Sequence, residues 1–401
     1  MISTESVRQA AQMIKGKVIK TPLVYSPSLS KMFGGEIYLK LENLQKTGSF
    51  KIRGATYSIL KNKDRIGDGG VVTASAGNHA QGVALAARQA LIPATIVMPE
   101  WASITKQEAT RGYGGEVVIE GRSLGESLKK AEEMALQGKT FIHPFDDHDI
   151  IAGQGTMALE IMEDLKETDM ILVPIGGGGI ISGIASTVKS IRPGITVIGI
   201  QSSACASAYE SYHTGIIKKV HSHPSIADGI NVKQVGNLNF DIIRKYVDDV
   251  VLVDEDQIAA AMLLLLERKK ILAEGAGAVS LAALLNGSIS VPRGSRVVLL
   301  ISGGNVDSSL LGRILSQGLI KNDRIMRLSV RLTDTPGSLA QLLALISGLK
   351  ANVLHIYHDR CARDLPIYVT RVDLELETRG SDHIEEITHQ LDMAGYEMEL
   401  K

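Results

Sequence analysis

Aromatic residues and cysteines are both scarce in this sequence of 401 residues. Aromatic residues make up only 4% of it, so the core has to be built from Ile, Leu, Val and Ala. The two cysteines, Cys205 and Cys361, are far apart and not in a metal-binding spacing. This sparing use of cysteine predicts a reduced, cytoplasmic protein.

An excess of charge and long apolar segments are also missing. Lys and Arg number 43 against 44 Asp and Glu, a formal net charge of -1, which excludes a polybasic surface for nucleic acid or anionic membranes. The longest apolar run, Ile258 to Leu266, is far shorter than the roughly 20 residues that a membrane-spanning helix needs. The first residues contain no continuous apolar segment, so no secretory signal is predicted.

Residues 35 to about 320 alternate short aliphatic runs with longer amphipathic segments. Several runs are continuous and rich in β-branched residues, which is typical of strands covered on both faces. The order strand, helix, strand predicts an α/β fold with mostly parallel sheets. The predicted strands are 36–41, 70–74, 94–98, 116–119, 170–175, 196–201, 250–253 and 297–302, and the clearest helices are 82–89, 123–136 and 256–269.

The pattern changes after residue 320. Residues 325–332 alternate strictly between apolar and polar side chains, as in a half-exposed antiparallel strand. In the turn that follows, we expect Thr335 to cap a helix and Pro336 to occupy its first position. The predicted order β-α-β-β-α-β is that of a ferredoxin-like domain. The domains are therefore 1–320 and 325–401, with a boundary near 321–325.

Lys51 lies at the start of a predicted helix, after a turn rich in Thr, Gly and Ser. The positive end of a helix dipole disfavours a protonated amine and lowers its pKa, as a Schiff-base nucleophile requires. Most lysines, however, are solvated surface groups. Whether Lys51 is a Schiff-base nucleophile or a solvated surface group therefore depends on the neighbouring motifs.

Glycine is abundant, with 40 residues, and clusters where strands end. Gly176, Gly177, Gly178 and Gly179 follow a buried strand and precede a helix, an arrangement of backbone N–H groups suited to phosphate. The spacing fits neither a P-loop nor a dinucleotide fingerprint. A nucleotide site and a purely structural turn remain alternatives.

Two further motifs stand at strand ends. Residues 75–79 (Ser-Ala-Gly-Asn-His) open a helix, and there Ser75, Asn78 and the helix-start amides could hold a carboxylate or simply cap the helix. Ser302 ends the last strand of the α/β region, where the ligand crevice of such sheets lies, although a lone serine there is usually a cap. Glu274 could face the same site or cap a helix.

Together, TGSFKIRGA, SAGNHAQG, GGGG and SGGN resemble, in the same order, the motifs of the fold-type II pyridoxal-phosphate enzymes, with threonine dehydratases the nearest group. The resemblance covers residues 1–320, of which about 47–145 would be the smaller, mobile subdomain. Residues 325–401 resemble an ACT domain, an amino-acid-sensing module. The resemblance implies pyridoxal 5'-phosphate (PLP) as cofactor, deamination of threonine or serine, and a homo-oligomer.

The resemblance also implies a role for each motif residue. Lys51 would hold the cofactor covalently and act as the catalytic base. The substrate carboxylate would bind to Ser75, Ala76, Gly77, Asn78 and His79. The remaining cofactor contacts would come from Phe50 beside the ring, Asn78 at the 3-oxygen, Ser302 at the pyridine nitrogen, and Gly176, Gly177, Gly178 and Gly179 around the phosphate.

Some residues differ from those of related enzymes, and these differences limit the reactions and metals that we expect. Serine racemases carry a second serine where this chain has Ala76, so we expect poor racemisation. Gln201 and Ser207 replace acidic metal ligands, and the His- and Asp-rich residues 143–149 fit no zinc or calcium spacing, so no metal is expected. Serine dehydratase, threonine synthase, cysteine synthase and a non-catalytic amino-acid sensor remain alternatives.

The turn at residues 334–337 has two interpretations, an effector site and a simple turn. ACT domains often bind an amino acid at such a helix start, so we expect an effector here. The alternative is a simple strand-to-helix turn.

Overall fold

The structure is a computed structural model that describes residues 2–361 and 364–401. The chain divides into two compact units, Met1–Asp307 and Ser308–Lys401. The sequence-based boundary at 321–325 therefore falls within the second unit, between its first helix and its first strand. No helix of the described residues is long and apolar enough to cross a membrane.

The first unit contains two sheets. Its strands are β1 (Leu23–Tyr25), β2 (Glu36–Leu41), β3 (Val71–Ala74), β4 (Ala94–Met98), β5 (Glu116–Ile119), β6 (Thr140–Phe141), β7 (Met170–Pro174), β8 (Thr196–Ser202), β9 (Asp249–Val253) and β10 (Arg296–Ile301). The larger sheet has the order β1-β2-β10-β7-β8-β9, and the smaller one β5-β4-β3-β6. Every neighbouring pair is parallel except β1 with β2.

Twelve α-helices of the described residues surround these sheets. They are α1 (Thr4–Ile14), α2 (Pro27–Phe33), α3 (Lys51–Lys61), α4 (Asn78–Ala90), α5 (Ile104–Gly112), α6 (Leu124–Leu136), α7 (His148–Asp164), α8 (Gly179–Ile191), α9 (Ser207–Thr214), α10 (Asn237–Tyr246), α11 (Glu255–Leu264) and α12 (Gly275–Leu285). The predicted parallel α/β fold is thus confirmed. The predicted helix 256–269 is correct only as far as Leu264, because a short π-helix, Leu265–Lys269, follows.

The cores are aliphatic, as the low aromatic content requires. The central strands β7 and β10 are covered on both faces, and their inner residues such as Leu172 and Leu299 are inaccessible to solvent. Burial of apolar area at roughly 25 cal/mol per Å² makes this packing the main stabilising contribution. The strands β1 and β6 were missed in the sequence because two or three residues are too few to show a period.

The second unit is a four-stranded antiparallel sheet with helices. Its elements are α13 (Ser308–Lys321), β11 (Ile325–Thr333), α14 (Ser338–Gly348), β12 (Asn352–Asp359), β13 (Val369–Glu377), α15 (Ser381–Met393) and β14 (Glu397–Leu400). The sheet order β12-β13-β11-β14 is that of a ferredoxin-like fold. Alternate residues of β11, such as Leu328 and Val330, are buried in its core.

The predicted start of α14 was wrong. The helix begins at Ser338, and Gly337 precedes it with a φ of 95°. Because this left-handed conformation cannot be part of the helix, Pro336 is not its first residue. Thr335 does not cap the backbone, and its hydroxyl instead lies 2.8 Å from the Ser338 hydroxyl.

Candidate active site

Lys51 is the first residue of α3 and lies where two neighbouring parallel strands end. The segment before it runs from β2, and the Phe50 N–H donates to the Ser302 carbonyl, just after β10, at 3.1 Å. Ser49 forms a β-bridge with Gly303. The carboxyl ends of β2 and β10 therefore position the lysine at the ligand edge of the sheet.

The Lys51 side chain is half-buried. Its Nζ donates to the Pro144 carbonyl at 2.9 Å and lies 5.3 Å from the centre of the Phe50 ring. Burial lowers the pKa of Lys51 to about 8, although the Glu274 carboxylate acts in the opposite direction. A substantial neutral fraction near physiological pH is what a nucleophile or base needs.

The four-glycine turn between β7 and α8 lines the same cavity as Lys51. There is no space for side chains on it: a Cβ on Gly177 would lie 2.4 Å from the Phe145 ring, and one on Gly179 would lie 2.8 Å from the Phe145 carbonyl. Gly178 has a φ of 99°, and no side chain caps the start of α8. The uncapped helix-start amides and the helix dipole favour an anion here.

Ser302 and Asn78 contribute polar atoms to this cavity. Ser302 follows β10, is only 2% exposed, and its hydroxyl donates to the Ala276 carbonyl at 3.3 Å. Asn78 begins α4, and its Nδ2 donates to both carboxylate oxygens of Glu274 at 2.8 and 3.0 Å. Thus Lys51, Phe50, Asn78, Ser302 and the glycine turn lie around one cavity.

The loop at 75–79 borders a second cavity that shares Lys51, Asn78 and Glu274 with the first. Ser75, Ala76 and Gly77 are partly exposed to it. His79 is 3% exposed and its Nε2 lies 3.2 Å from the Ile142 carbonyl. Burial and the nearby Lys51 lower the pKa of His79 to about 3, so its imidazole is neutral and offers no positive charge to a carboxylate.

Glu274 is a site residue that the sequence left undecided. It precedes α12 without capping it, and the residue is only 4% exposed. Burial raises its pKa to about 7, with the Asn78 amide opposing this. The carboxyl faces the cavity and binds a proton near neutral pH.

Asn305 was missed as a site residue, although it ends the SGGN motif. Its Nδ2 donates to the Thr47 carbonyl and to Asn78 Oδ1, both at 2.8 Å. It thereby connects the segment that leads to Lys51 with the start of α4. The sequence could not show this role, because Thr47, Asn78 and Asn305 are far apart in the chain and come together only in the folded structure.

An ion pair connects the two sides of the second cavity. Lys106 in α5 lies 2.8 Å from Asp228, and both residues line the cavity. Lys106 belongs to the part of the chain with the smaller sheet, and Asp228 to the part with the larger one. Trp101, the only tryptophan, is exposed at the same rim.

The chemistry of the cavity fits PLP. An amine of lowered pKa, a turn of uncapped backbone amides and a buried hydroxyl lie around one space, as an aldehyde with an anionic tail and a ring nitrogen requires. The side-chain oxygen of Gln154, which also lines this cavity, is buried without a hydrogen-bond partner among the described residues. Such a buried polar atom is typical of a site completed by a ligand.

Comparison with known proteins agrees with this fit. Residues 14–303 match the family model of the "Pyridoxal-phosphate dependent enzyme". The chain belongs to this family and depends on PLP, and its catalytic unit has the fold-type II architecture expected from the sequence.

Individual relatives define the similarity further. The chain is 47% identical over 403 residues to the L-threonine ammonia-lyase of Thermotoga maritima, with 100% of both chains covered. The processed form of threonine deaminase isoform 2 from Solanum lycopersicum matches with a TM-score of 0.73 and 35% identity, covering 78% of this chain and 94% of that one. Maize serine racemase matches with a TM-score of 0.75 and 36% identity, covering 80% and 99%.

Proposed function

We propose that this protein is an L-threonine ammonia-lyase that converts L-threonine to 2-oxobutanoate and ammonia, and L-serine to pyruvate. The observation that carries the proposal is the common cavity of the Lys51 amine and the four-glycine turn. Full-length similarity to an L-threonine ammonia-lyase supports the same reaction.

The residues around the cavity have different roles in binding the cofactor. Bound PLP supplies an aldehyde that reacts with an amine and a ring that delocalises the charge of a carbanion. The amides of Gly176, Gly177, Gly178 and Gly179 would hold its phosphate. Phe50 would pack beside the ring, Asn78 would donate to the 3-oxygen and Ser302 would face the ring nitrogen. Because Ser302 is a neutral hydroxyl, it would not keep the ring nitrogen protonated as an Asp carboxylate would, which favours early loss of the β-hydroxyl over transamination.

The protein also has to move one proton and orient one carboxylate. Lys51, neutral in part because of its low pKa, would accept the proton from the α-carbon of the substrate. The substrate carboxylate binds to the loop of Ser75, Ala76, Gly77, Asn78 and His79. Since the His79 imidazole is neutral, hydrogen bonds from this loop rather than an ion pair hold the carboxylate.

The test is an absorbance spectrum followed by product assays. We expect the purified protein to be yellow, to release 2-oxobutanoate from threonine, and to do so without an added nucleophile. Lys51→Ala should lose both the absorbance of the bound cofactor and turnover, whereas Lys46→Ala should retain both. A Lys51→Ala variant with full dehydratase rate would refute the assignment.

Racemisation of serine is the alternative reaction, because a serine racemase is among the similar structures. Ala76 argues against it, since alanine cannot serve as a base on the second face of the substrate. We expect pyruvate from L-serine but little D-serine. Ala76→Ser should raise the yield of D-serine, which chiral chromatography measures.

For residues 325–401 we propose an ACT domain that binds an amino-acid effector. The ferredoxin-like sheet order and the open turn at Gly337, where an added Cβ would contact nothing within 4 Å, support it. Gly337→Val should abolish the response of activity to added amino acids such as isoleucine or valine, with basal turnover unchanged. A response that survives this substitution would place the effector elsewhere.

We further propose a cytoplasmic homo-oligomer. The free thiols of Cys205 and Cys361 agree with a reducing compartment. Strand β12 is an edge of its sheet and leaves Leu354 and Ile356 about 40% exposed, as in a surface that pairs with another chain. Light scattering should give at least twice the mass of one chain, which is 43.0 kDa.

A further inference from the structure

His143 belongs to the His- and Asp-rich segment 143–149, which the proposed reaction does not use. It follows the short strand β6 and lines neither cavity. Its Nδ1 accepts hydrogen bonds from two backbone N–H groups, that of Phe145 at 3.2 Å and that of Asp146 at 2.7 Å. One ring nitrogen therefore holds residues 144–146, here called the histidine loop, in a tight turn.

The histidine loop contacts both Lys51 and the four-glycine turn. The Pro144 carbonyl accepts the hydrogen bond from Lys51 Nζ at 2.9 Å. The Phe145 ring lies so close to Gly177 that a Cβ there would be 2.4 Å from it. Asn239 Nδ2 donates to the carbonyls of Phe145 and Gly177 at 3.0 and 3.1 Å. The loop thus joins the amine to the anion-binding turn.

The far end of the histidine loop is fixed separately by helix α10. The Asp146 carboxylate accepts hydrogen bonds from the backbone N–H groups of Asn237 at 2.9 Å and Asn239 at 3.3 Å, at the start of that helix. With β6 before the loop and α10 after it, the bonds to the imidazole decide how the chain between them turns. They therefore set the position of the Pro144 carbonyl.

The acceptor role requires a neutral imidazole, because a protonated Nδ1 would be a donor facing two other donors. Burial lowers the pKa of His143, the Asp146 and Asp147 carboxylates oppose this, and the Lys51 ammonium adds to it. The neighbouring His79 is neutral as well and so contributes no charge at neutral pH. His143 is therefore an acceptor at neutral pH, with its proton on Nε2.

We propose that His143 is a positioning residue that fixes the histidine loop and thereby places the Lys51 amine beside the glycine turn. The proposal rests on the proposed function, in which both of these groups bind PLP. A reactive group has to be held within about 0.5 Å of its working position by side chains that packing locks in place. The His143 ring meets this condition, since it lies edge-on to the Phe145 ring, with ring centres 4.9 Å apart and planes at 89°.

Two substitutions separate the acceptor of His143 from its ring. His143→Phe keeps an aromatic ring of similar shape and removes the acceptor. His143→Asn removes the ring and puts an amide oxygen where Nδ1 was. Such an oxygen can accept bonds from the residues two and three positions later, as Asp147 Oδ1 does from Asp149 and Ile150, both at 2.9 Å. His143→Asn is therefore the rescuing variant.

The first readout is the rate at which the apo-protein captures PLP, which absorbance follows without any substrate. Capture requires the Lys51 amine to be neutral and in position. We expect His143→Phe to slow capture about tenfold or more and His143→Asn to stay within about threefold of the wild type. With saturating PLP, kcat for threonine should fall by a similar factor in His143→Phe, while the KM changes by less than about threefold, because the loop at 75–79 is intact.

His213→Phe is the matched control. His213 also packs against aromatic rings, those of Tyr209 and Tyr212, and its Nε2 lies 3.1 Å from the Val250 carbonyl. Since it lines neither cavity, its substitution should leave the capture rate and kcat unchanged. His143→Leu also lacks the acceptor and takes the place of His143→Phe if circular dichroism shows that the latter does not fold.

Loss of capture rate and kcat without the acceptor, and their return in His143→Asn, would support the proposal. A folded His143→Phe or His143→Leu that captures PLP at the wild-type rate would overturn it, even if the variant is less stable. So would a folded His143→Asn whose capture is slowed about tenfold. If the wild-type apo-protein captures no PLP, the proposed function itself fails, which is a different result from either of these.

Discussion

Two cations on the same helix, Lys51 and Arg53, have opposite surroundings. Arg53 is inaccessible to solvent, and its guanidinium donates to Glu42 at 2.7 and 2.9 Å and to Glu160 at 2.6 and 2.9 Å. It also donates to Thr156 and to the Ile19 carbonyl. Lys51 has one carbonyl acceptor and no ion pair with any described residue.

This difference separates a structural charge from a reactive one. The carboxylates of Glu42 and Glu160 hold the pKa of Arg53 above its usual range in spite of burial, so its charge is permanent. At Lys51 burial prevails and the pKa falls to about 8. A half-buried lysine without a carboxylate partner is therefore easily deprotonated, while the paired arginine holds the start of the same helix in place.

Removing the paired cation should have the largest effect on stability. Arg53→Met leaves two carboxylates without their guanidinium in the interior, although Lys40 still pairs with Glu160. We expect the free energy of unfolding to fall by about 3–5 kcal/mol in urea denaturation. Arg8→Met, on the exposed face of α1, is the control, and an equally small change at both positions would contradict the comparison.

Removing the unpaired cation should act in the opposite direction. Since the pKa of Lys51 is about 8 in the folded state and 10.5 ordinarily, the unfolded chain binds the additional proton between these values. The stability of the apo-protein should therefore rise with pH from about 8 to 10.5. Lys51→Met should remove this rise and stabilise the apo-protein by roughly 1–3 kcal/mol at pH 7, while turnover is lost. A less stable Lys51→Met apo-protein would be the contrary result.

Glu274 is the anionic counterpart of Lys51. Its pKa is about 7 in the folded state against 4.5 ordinarily, so the folded state binds more protons between these values. Its contribution to stability is therefore largest below pH 4.5 and is lost as the pH rises to about 7. Glu274→Gln should remove that loss, on the order of 1–2 kcal/mol, in unfolding curves at pH 5 and pH 8. Glu5→Gln, at an exposed position, should leave the pH dependence unchanged.

The ion pair at the rim of the second cavity should matter least for stability. Asp228 is mostly exposed, so Asp228→Asn should cost only about 0.2–1 kcal/mol, and less at high salt. We expect a higher KM for threonine, because the pair connects the two sides of the cavity. The exchange Lys106→Asp with Asp228→Lys should restore the KM. No recovery in the exchanged variant would show that the pairing itself is unimportant.

Much of the fold was predictable because the sequence pattern reports burial. The runs of β7, β8 and β10 are continuous because these strands are covered on both faces, and the alternation in β11 shows that one face is exposed. Short elements escaped prediction, and so did the start of α14. This helix begins only after Gly337, which has a positive φ. The pattern of apolar and polar residues does not show that backbone conformation.

The sequence by itself determined the groups of the candidate site, because Lys51, the four glycines and Ser302 each follow a strand and therefore lie at one edge of a sheet. Which of them share a cavity, and which partners they have, depended on the tertiary structure. Glu274, Asn305 and Gln154 come from separate segments that only the fold brings together. Their charges and free hydrogen-bonding groups depend on burial, and burial is a property of the packed chain, not of the residues in order.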